Sequence, residues 1–308
     1  MKKLGIIGAR GYVGAELIAL LAKHSGFELA AVSSRQLVGA KVSEHFAHPS
    51  ALVIQELAAE DISEDVDAWV LALPNGHAAQ WSEAIWRVRH DAIVVDLSAD
   101  FRFDDTWDYG LTEFNRGAIA SSKRISNPGC YATAAQFALA PIVGDLAATP
   151  SVFGVSGYSG AGTTPSPKND PEQLRDNLMP YALVNHVHER EVSRHLKHKI
   201  HFMPHVASFF RGISVTISAD LTRNFTGEQL LDTYRSFYAN EPLVRVTSDI
   251  PWVRDIAGKP HVAVGGFAVQ DDHVVVVATI DNLLKGAATQ ALQNLNLAAG
   301  FDELEGIQ

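Results

Sequence analysis

The segment Ser126-Asn127-Pro128-Gly129-Cys130-Tyr131-Ala132-Thr133 places the only cysteine of the chain between a turn and a helical run. Asn-Pro-Gly is strong turn chemistry, and Tyr131 to Ala140 reads as a helix. Cys130 is therefore expected at a helix N-terminus, where main-chain N–H groups and the helix dipole favour the nucleophilic thiolate. A single cysteine is more often an inert apolar filler, but a filler requires neither the turn before it nor the helix start after it. A nucleophile also needs a base and a group that holds the substrate. The base candidates are His186 and His188 in Asn185-His186-Val187-His188-Glu189-Arg190-Glu191, where acids lie nearby to orient an imidazole. The same spacing permits a polar surface helix. No third ligand accompanies this His-x-His pair, so no metal is expected. Arg102 is suited to a bidentate grip on phosphate or carboxylate, or it pairs with Asp100 and braces its loop. Arg211, Asn127 and Ser156 complete the substrate-binding candidates.

The elements that must position these groups begin with a buried-strand pattern, Lys3 to Ile7. It runs into Gly8-Ala9-Arg10-Gly11-Tyr12-Val13-Gly14 and a helix from Ala15 to His24. Strand, glycine-rich turn and helix form the context of a dinucleotide site, in which glycines admit the pyrophosphate to the helix N-terminus. Gly8, Arg10, Gly11, Tyr12, Val13 and Gly14 are the first cofactor candidates. The second strand, Phe27 to Val32, ends in Ser33-Ser34-Arg35 rather than in the acid usual for NAD. Two hydroxyls and an arginine favour a 2′-phosphate, hence NADP(H), unless Arg35 is only a solvated loop charge. Strands at Val66–Leu73 and Ala92–Asp96 follow, and their loops add Leu73, Pro74 and Ser98. Gly160 and Asn282 extend the cofactor list into the second half. His77 has a functional reading and, equally, one as a polar helix start.

From Pro150 the texture changes. The stretch from Ser156 to Asp170 is rich in glycine, hydroxyl residues and proline, the composition of a functional loop or a mobile connection. Segments 213–218, 262–269 and 273–280 predict an antiparallel sheet, with a helix at 230–238. A last helix, 287–297, is expected to pack an apolar face on the first domain. The fold class is thus α/β: a Rossmann-type dinucleotide-binding domain over 1–129, completed by 282–308, and an α+β catalytic domain over 130–281, to which the family resemblance described below adds oligomerisation. The net charge of −10 argues against nucleic acid and membrane surfaces as partners. No apolar run reaches the length of a membrane span. One cysteine excludes an intrachain disulfide and fits a reducing cytoplasm.

With these pieces assembled, the chain resembles the N-acetyl-gamma-glutamyl-phosphate reductases of arginine biosynthesis. The resemblance rests on Gly8-Ala9-Arg10-Gly11-Tyr12-Val13-Gly14-Ala15-Glu16-Leu17, Asp96-Leu97-Ser98-Ala99-Asp100-Phe101-Arg102, the Cys130 segment and Asp281-Asn282-Leu283-Leu284-Lys285-Gly286-Ala287-Ala288. Such enzymes are similar in fold and logic to aspartate-semialdehyde and glyceraldehyde-3-phosphate dehydrogenases. The resemblance implies that Cys130 attacks an acyl phosphate and forms a thioester, which NADPH reduces to a semialdehyde. It maps the family's His-x-His-x-x-Glu onto His186, His188 and Glu191, with His188 the first choice for proton transfer and Glu191 orienting an imidazole. It implies a homodimer or homotetramer. Where many bacterial members carry Thr-Pro, this chain has Glu189-Arg190. That variant and the 156–170 loop resemble the reductase domain of fungal proteins fused to a kinase, and 308 residues leave no room for a kinase. Related phosphorylating semialdehyde dehydrogenases of the aspartate or aminoadipate type, and a non-catalytic NADP-binding regulator, are the alternatives.

Overall fold

The structure, a computed structural model, describes residues 1–307; residue 308, the last of the expected 282–308 segment, lies outside them. The chain divides into two compact units. One is Met1–Gly129 together with the C-terminal stretch from Ala287, and the other is Cys130–Gly286.

The first unit runs β1 (Lys2–Ile7), α1 (Tyr12–Leu21), β2 (Phe27–Ser33), α2 (Val42–His45), β3 (Ala68–Leu71), α3 (Ala78–Val88), β4 (Ile93–Asp96), β5 (Asp108–Tyr109), α4 (Thr112–Ile119) and β6 (Arg124–Ser126). Its six strands lie in the order β2-β1-β3-β4-β6-β5 and pair in parallel throughout. Strands covered on both faces read as continuous apolar runs, which is why β3 and β4, buried throughout, are visible in the sequence; β1 and β2 are visible because apolar residues predominate in them. β5 and β6 are too short to show such a run. Ile7, Trp69, Leu71, Ile85 and Val94 share one core cluster, and each fully buried aliphatic side chain there contributes ~1.5–3 kcal/mol. Phe101 stacks on Trp107 with ring centroids 3.8 Å apart.

The loops after β3 and β4 lock each other. The Asp100 carboxylate accepts from the main-chain N–H of Gly76 at 2.6 Å and of Ala78 at 3.0 Å. It thereby caps α3 from outside, while His77, at the N-cap position itself, makes no side-chain cap bond.

The second unit comprises α5 (Cys130–Leu139), β7 (Ser151–Gly157), α6 (Pro171–Leu174), β8 (Leu178–Pro180), α7 (Val187–His195), β9 (His201–Ala207), β10 (Ile213–Asp220), α8 (Gly227–Phe237), β11 (Val244–Val246), α9 (Val253–Ile256), β12 (Val262–Gln270) and β13 (His273–Ile280). The seven strands are ordered β11-β12-β13-β10-β7-β9-β8. The predicted antiparallel set is present as β10–β13 and β13–β12. The sheet as a whole is mixed, because β7–β9 and β11–β12 pair in parallel. In β10, Ile213, Val215, Ile217 and Ala219 are buried while their neighbours are not, the period of a strand with one covered face. α5, buried from Tyr131 to Leu139, packs against β10 and β13.

The chain then passes through a π turn, Leu284–Ala288, into α10 (Thr289–Ala299), which packs on α1, α4 and β4 of the first unit. Two expectations change here. The second unit keeps residues 282–286, because Asn282 accepts from Gly212 N at 2.7 Å and donates to Ser159 Oγ at 2.9 Å. The buried face of α10 is also as much amide as aliphatic. Asn294 donates to Gly110 O at 2.9 Å and to Asn127 Oδ1 at 3.0 Å, and it accepts from Thr112 Oγ1 at 2.9 Å. Gln290 donates to Thr112, Gln293 to Glu303, and His24 Nε2 meets Asn296 Oδ1. Each buried amide needs a specific partner, so this face fits in one register. Among the described residues no helix is long and apolar enough to cross a membrane.

Candidate active site

Cys130 is the first residue of α5 and is half-buried. Its Cβ is approached so closely that a methyl group on Gly286 would lie 2.8 Å from it. Gly286→Ala is therefore expected to displace Cys130 or the π turn and to cost ~1–3 kcal/mol as overpacking. Thermal unfolding and the rate of thiol alkylation would both register the change; a variant with unaltered Tm and unaltered thiol reactivity would contradict it.

Cys130 opens into a cavity of about 240 Å³ within the second unit, which His186, His188, Ser156 and Gly160 also line. Tyr131, Tyr181 and Lys168 complete its polar wall. The Tyr131 hydroxyl donates to His205 O at 2.6 Å. Its ring lies against β7 at Gly154, where a Cβ would come within 2.6 Å of Cε1. Burial raises the pKa of Tyr131 and of Tyr181, so both phenols stay protonated at neutral pH. Ser156 is buried and donates to Gly157 O at 2.9 Å.

The two histidines have different surroundings. His186 is the N-cap of α7, and its Nδ1 accepts from His188 N at 3.1 Å. That bond puts the proton of the neutral ring on Nε2. Burial, aided by the Lys168 charge, pushes His186 down to about 4, so at neutral pH it is an uncharged cap with its acceptor nitrogen occupied. His188 stands edge-on to it at 4.8 Å between centroids and 5.9 Å from the Tyr131 ring. Glu191 is fully buried one turn along the same face of α7. Glu189, the departure from the common family pattern, accepts from Phe202 N at 2.9 Å and so ties α7 to β9.

The His186 shift has a sign. Between pH 6.5 and about 4 the unfolded chain binds a proton that the folded state excludes. The stabilisation is complete above pH 6.5 and is lost as pH falls through that window. Tm is expected to fall less steeply over it in His186→Asn, which keeps a capping side chain. His261, lowered in the same direction chiefly by burial, leaves part of the slope in place. Equal slopes in the two proteins would contradict the assignment.

In the first unit the glycine-rich turn separates into two kinds of glycine. Gly8 has φ +88°, and a Cβ there would meet Ala72 O at 2.3 Å; one on Gly14 would meet Ala9 O at 2.5 Å. The fold itself requires both. At Gly11 φ is −60° and a Cβ would find only Gly8 O, at 3.9 Å. Nothing in the protein needs a glycine there, and the open space at the start of α1 is what a pyrophosphate would fill. Gly11 also leaves α1 without a side-chain cap. Leu73 lies beside Gly8, where a Cβ would come within 3.3 Å of Leu73 Cδ2, and Pro74 is exposed next to it. Arg10, Tyr12 and Val13 stand at the same turn. Arg35 is exposed just after β2 and pairs loosely with Glu56 at 3.4 Å. Ser33 and Ser34 are buried, and Ser33 Oγ accepts from Leu57 N at 3.2 Å.

Several polar candidates are instead committed to the protein. Arg102 donates from Nε to Asn127 O at 2.9 Å and from Nη2 to Leu97 O at 3.0 Å, so it braces the loop through main-chain carbonyls rather than through Asp100. Asn127 is buried, donating to Ala287 O and accepting from Asn294. Ser98 donates to the buried Asp96, whose carboxyl is pushed up to about 6 chiefly by burial. Arg211 forms a bidentate pair with the fully buried Asp281, at 2.5 and 3.0 Å, and it is absent from the Cys130 cavity wall. Asn282 is spent on Gly212 and Ser159. Gly160 lines the Cys130 cavity within the second unit. Conversely, the cavity contains Lys168, Tyr131 and Tyr181, none of which the sequence reading selected. Lys168 is the single basic residue between Ser156 and Asp170, a signal that was available.

Both units resemble known proteins. Residues 3–122 match the semialdehyde dehydrogenase NAD-binding domain, and residues 130–282 the semialdehyde dehydrogenase dimerisation domain. A protein of Xanthomonas axonopodis pv. citri named N-acetyl-gamma-glutamyl-phosphate reductase is 54% identical over 100% of this chain and 98% of its own length. Protein arg11, mitochondrial, of Schizosaccharomyces pombe is 50% identical over 99% of this chain, which spans 35% of that longer protein. In fold, aspartate semialdehyde dehydrogenase II of Vibrio cholerae superposes with a TM-score of 0.80 at 19% identity, covering 97% of this chain and 98% of that one.

Proposed function

The chain belongs to the semialdehyde dehydrogenase family, and within it we propose that the protein is an NADPH-dependent N-acetyl-gamma-glutamyl-phosphate reductase. The observation that carries this reading is the sole cysteine at the N-terminus of α5, in a cavity that also contains His188.

Cys130 gives its proton to His188, and the thiolate attacks the acyl carbon. The carbon–oxygen bond to phosphate breaks, His188 returns the proton to the departing phosphate, and a thioester remains on Cys130. NADPH, when bound, supplies hydride to the thioester carbon. Main-chain N–H groups at the start of α5 hold the oxyanion of the tetrahedral species. Its collapse releases N-acetylglutamate 5-semialdehyde and the Cys130 thiolate, which takes up a proton from solvent. His186 keeps the start of α7, and with it His188, in place.

Gly8, Gly11 and Gly14 with Arg10, Tyr12 and Val13 hold the pyrophosphate end of the cofactor. Ser34 and Arg35 receive the 2′-phosphate, supported by the absence of an acid at the end of β2. Gly11→Ala is expected to leave stability within ~0.5 kcal/mol, since backbone and space both permit it, while weakening NADPH binding by ~10-fold or more. Calorimetric titration with NADPH would detect this, and undiminished affinity would remove the turn from the site.

The dimerisation-domain match supports a homo-oligomer, a dimer or a tetramer, and a single cysteine, which can form no intrachain disulfide, fits a cytoplasmic location. Exposed Phe153, Phe209, Phe210 and Trp252 on the second unit supply apolar surface for it.

The test runs the reaction backwards, with N-acetylglutamate semialdehyde, inorganic phosphate and NADP, following NADPH absorbance. Phosphate-dependent turnover is expected. Activity confined to aspartate semialdehyde or to the aminoadipate-type substrate would reassign the substrate, and no turnover with any of them would refute the reductase reading.

A further inference from the structure

The proposed substrate carries two anionic groups, a phosphate and a carboxylate, and both arginines expected to meet them are engaged elsewhere. Arg102 holds main-chain carbonyls and Arg211 holds Asp281. Among the described residues lining the Cys130 cavity, Lys168 is the only lysine or arginine. It sits on a single 3-10 turn, Pro167–Asn169, whose shape is fixed locally. Asn169 accepts from Ser166 N at 2.8 Å and donates to Gly162 O and Thr164 O, each at 2.8 Å. The turn that carries Lys168 is thus closed by hydrogen bonds of its own loop. Lys168 Nζ stands over the Tyr181 ring, 4.9 Å from its centroid, a geometry that holds an ammonium by its attraction to the π face. It makes no ion pair among the described residues. Its charge is felt inside the cavity, where it adds to the burial that depresses His186.

We propose that Lys168 binds an anionic oxygen group of the substrate, its carboxylate or its phosphate, in the Cys130 cavity. This inference rests on the reductase reading. A half-buried ammonium with no carboxylate partner retains its full attraction for an incoming anion, whereas a paired one must first give up its partner. Lys168 is a binding residue in this scheme and takes no proton.

The test is steady-state kinetics of Lys168→Met in the phosphorylating direction. Methionine keeps the aliphatic bulk and removes the charge. Loss of one charged contact is expected to raise one KM by ~10- to 100-fold, with the KM for NADP unchanged and Lys168→Arg restoring most of the affinity. The carboxylate arm predicts a raised KM for N-acetylglutamate semialdehyde and no added penalty for its α-methyl ester. The phosphate arm predicts a raised KM for inorganic phosphate alone. Unchanged KM values for both substrates would overturn the inference, as would an equal rise for acid and ester with phosphate unaffected. If wild-type protein turns over and Lys168→Met is kinetically normal, only this inference fails; if wild-type protein shows no phosphate-dependent turnover, the reductase reading itself fails.

Discussion

Cys130→Ala is expected to abolish phosphate-dependent reduction of NADP, by at least ~10⁴-fold, the scale on which enzymes lose rate when a covalent nucleophile is removed. No other thiol can substitute, because the chain has one cysteine. The loss should be confined to chemistry: Cys130 lies in the second unit, and the glycine-rich turn lies in the first. NADPH titration should therefore be unchanged in the variant. Mass spectrometry of wild-type protein mixed with acyl phosphate in the absence of NADPH should show one acyl group on the Cys130 peptide, and none in the variant. Residual turnover above about one per cent of wild type would rule out the thioester route. Iodoacetamide gives an independent reading, since alkylation reports this thiol alone.

His188→Asn is expected to lower kcat by ~10²–10⁴-fold, the usual contribution of a positioned acid–base group. His186→Asn should cost much less, since asparagine can accept the same bond from the α7 N-terminus. The asymmetry follows from geometry. His186 has its Nδ1 occupied by His188 N and is held neutral down to about pH 4. To act as the base it would have to release the cap. A larger kcat loss in His186→Asn would reverse the two roles.

How much could be read from the chain depended on how local each feature is. The turn before Cys130, the helix after it and the glycine pattern before α1 are written in consecutive residues, and each lies where the sequence places it. β3 and β4 were legible because burial on both faces leaves nearly unbroken apolar runs, and β1 and β2 because apolar residues dominate them despite Lys2, Lys3 and the exposed Glu28. β8 and β11, three residues each, carry too little pattern to register. The parallel pairing of β7 with β9 is likewise absent from either strand's own sequence, because pairing direction is a property of the path between them.

The active site shows the same division more sharply. By itself the sequence brought forward Cys130 as the candidate nucleophile, His186 and His188 as candidate bases and the glycine-rich turn before α1, since those residues announce themselves by type and short spacing. Only the tertiary structure decided which charged and polar side chains remain available to a substrate. Arg211 is taken by Asp281, 70 positions away, and Asn127 by Asn294, 167 positions away. Lys168 is brought to the Cys130 cavity by a loop whose sequence is equally compatible with a linker. A buried ion or amide must find its partner wherever the fold supplies one, and that partner is invisible until the chain has closed.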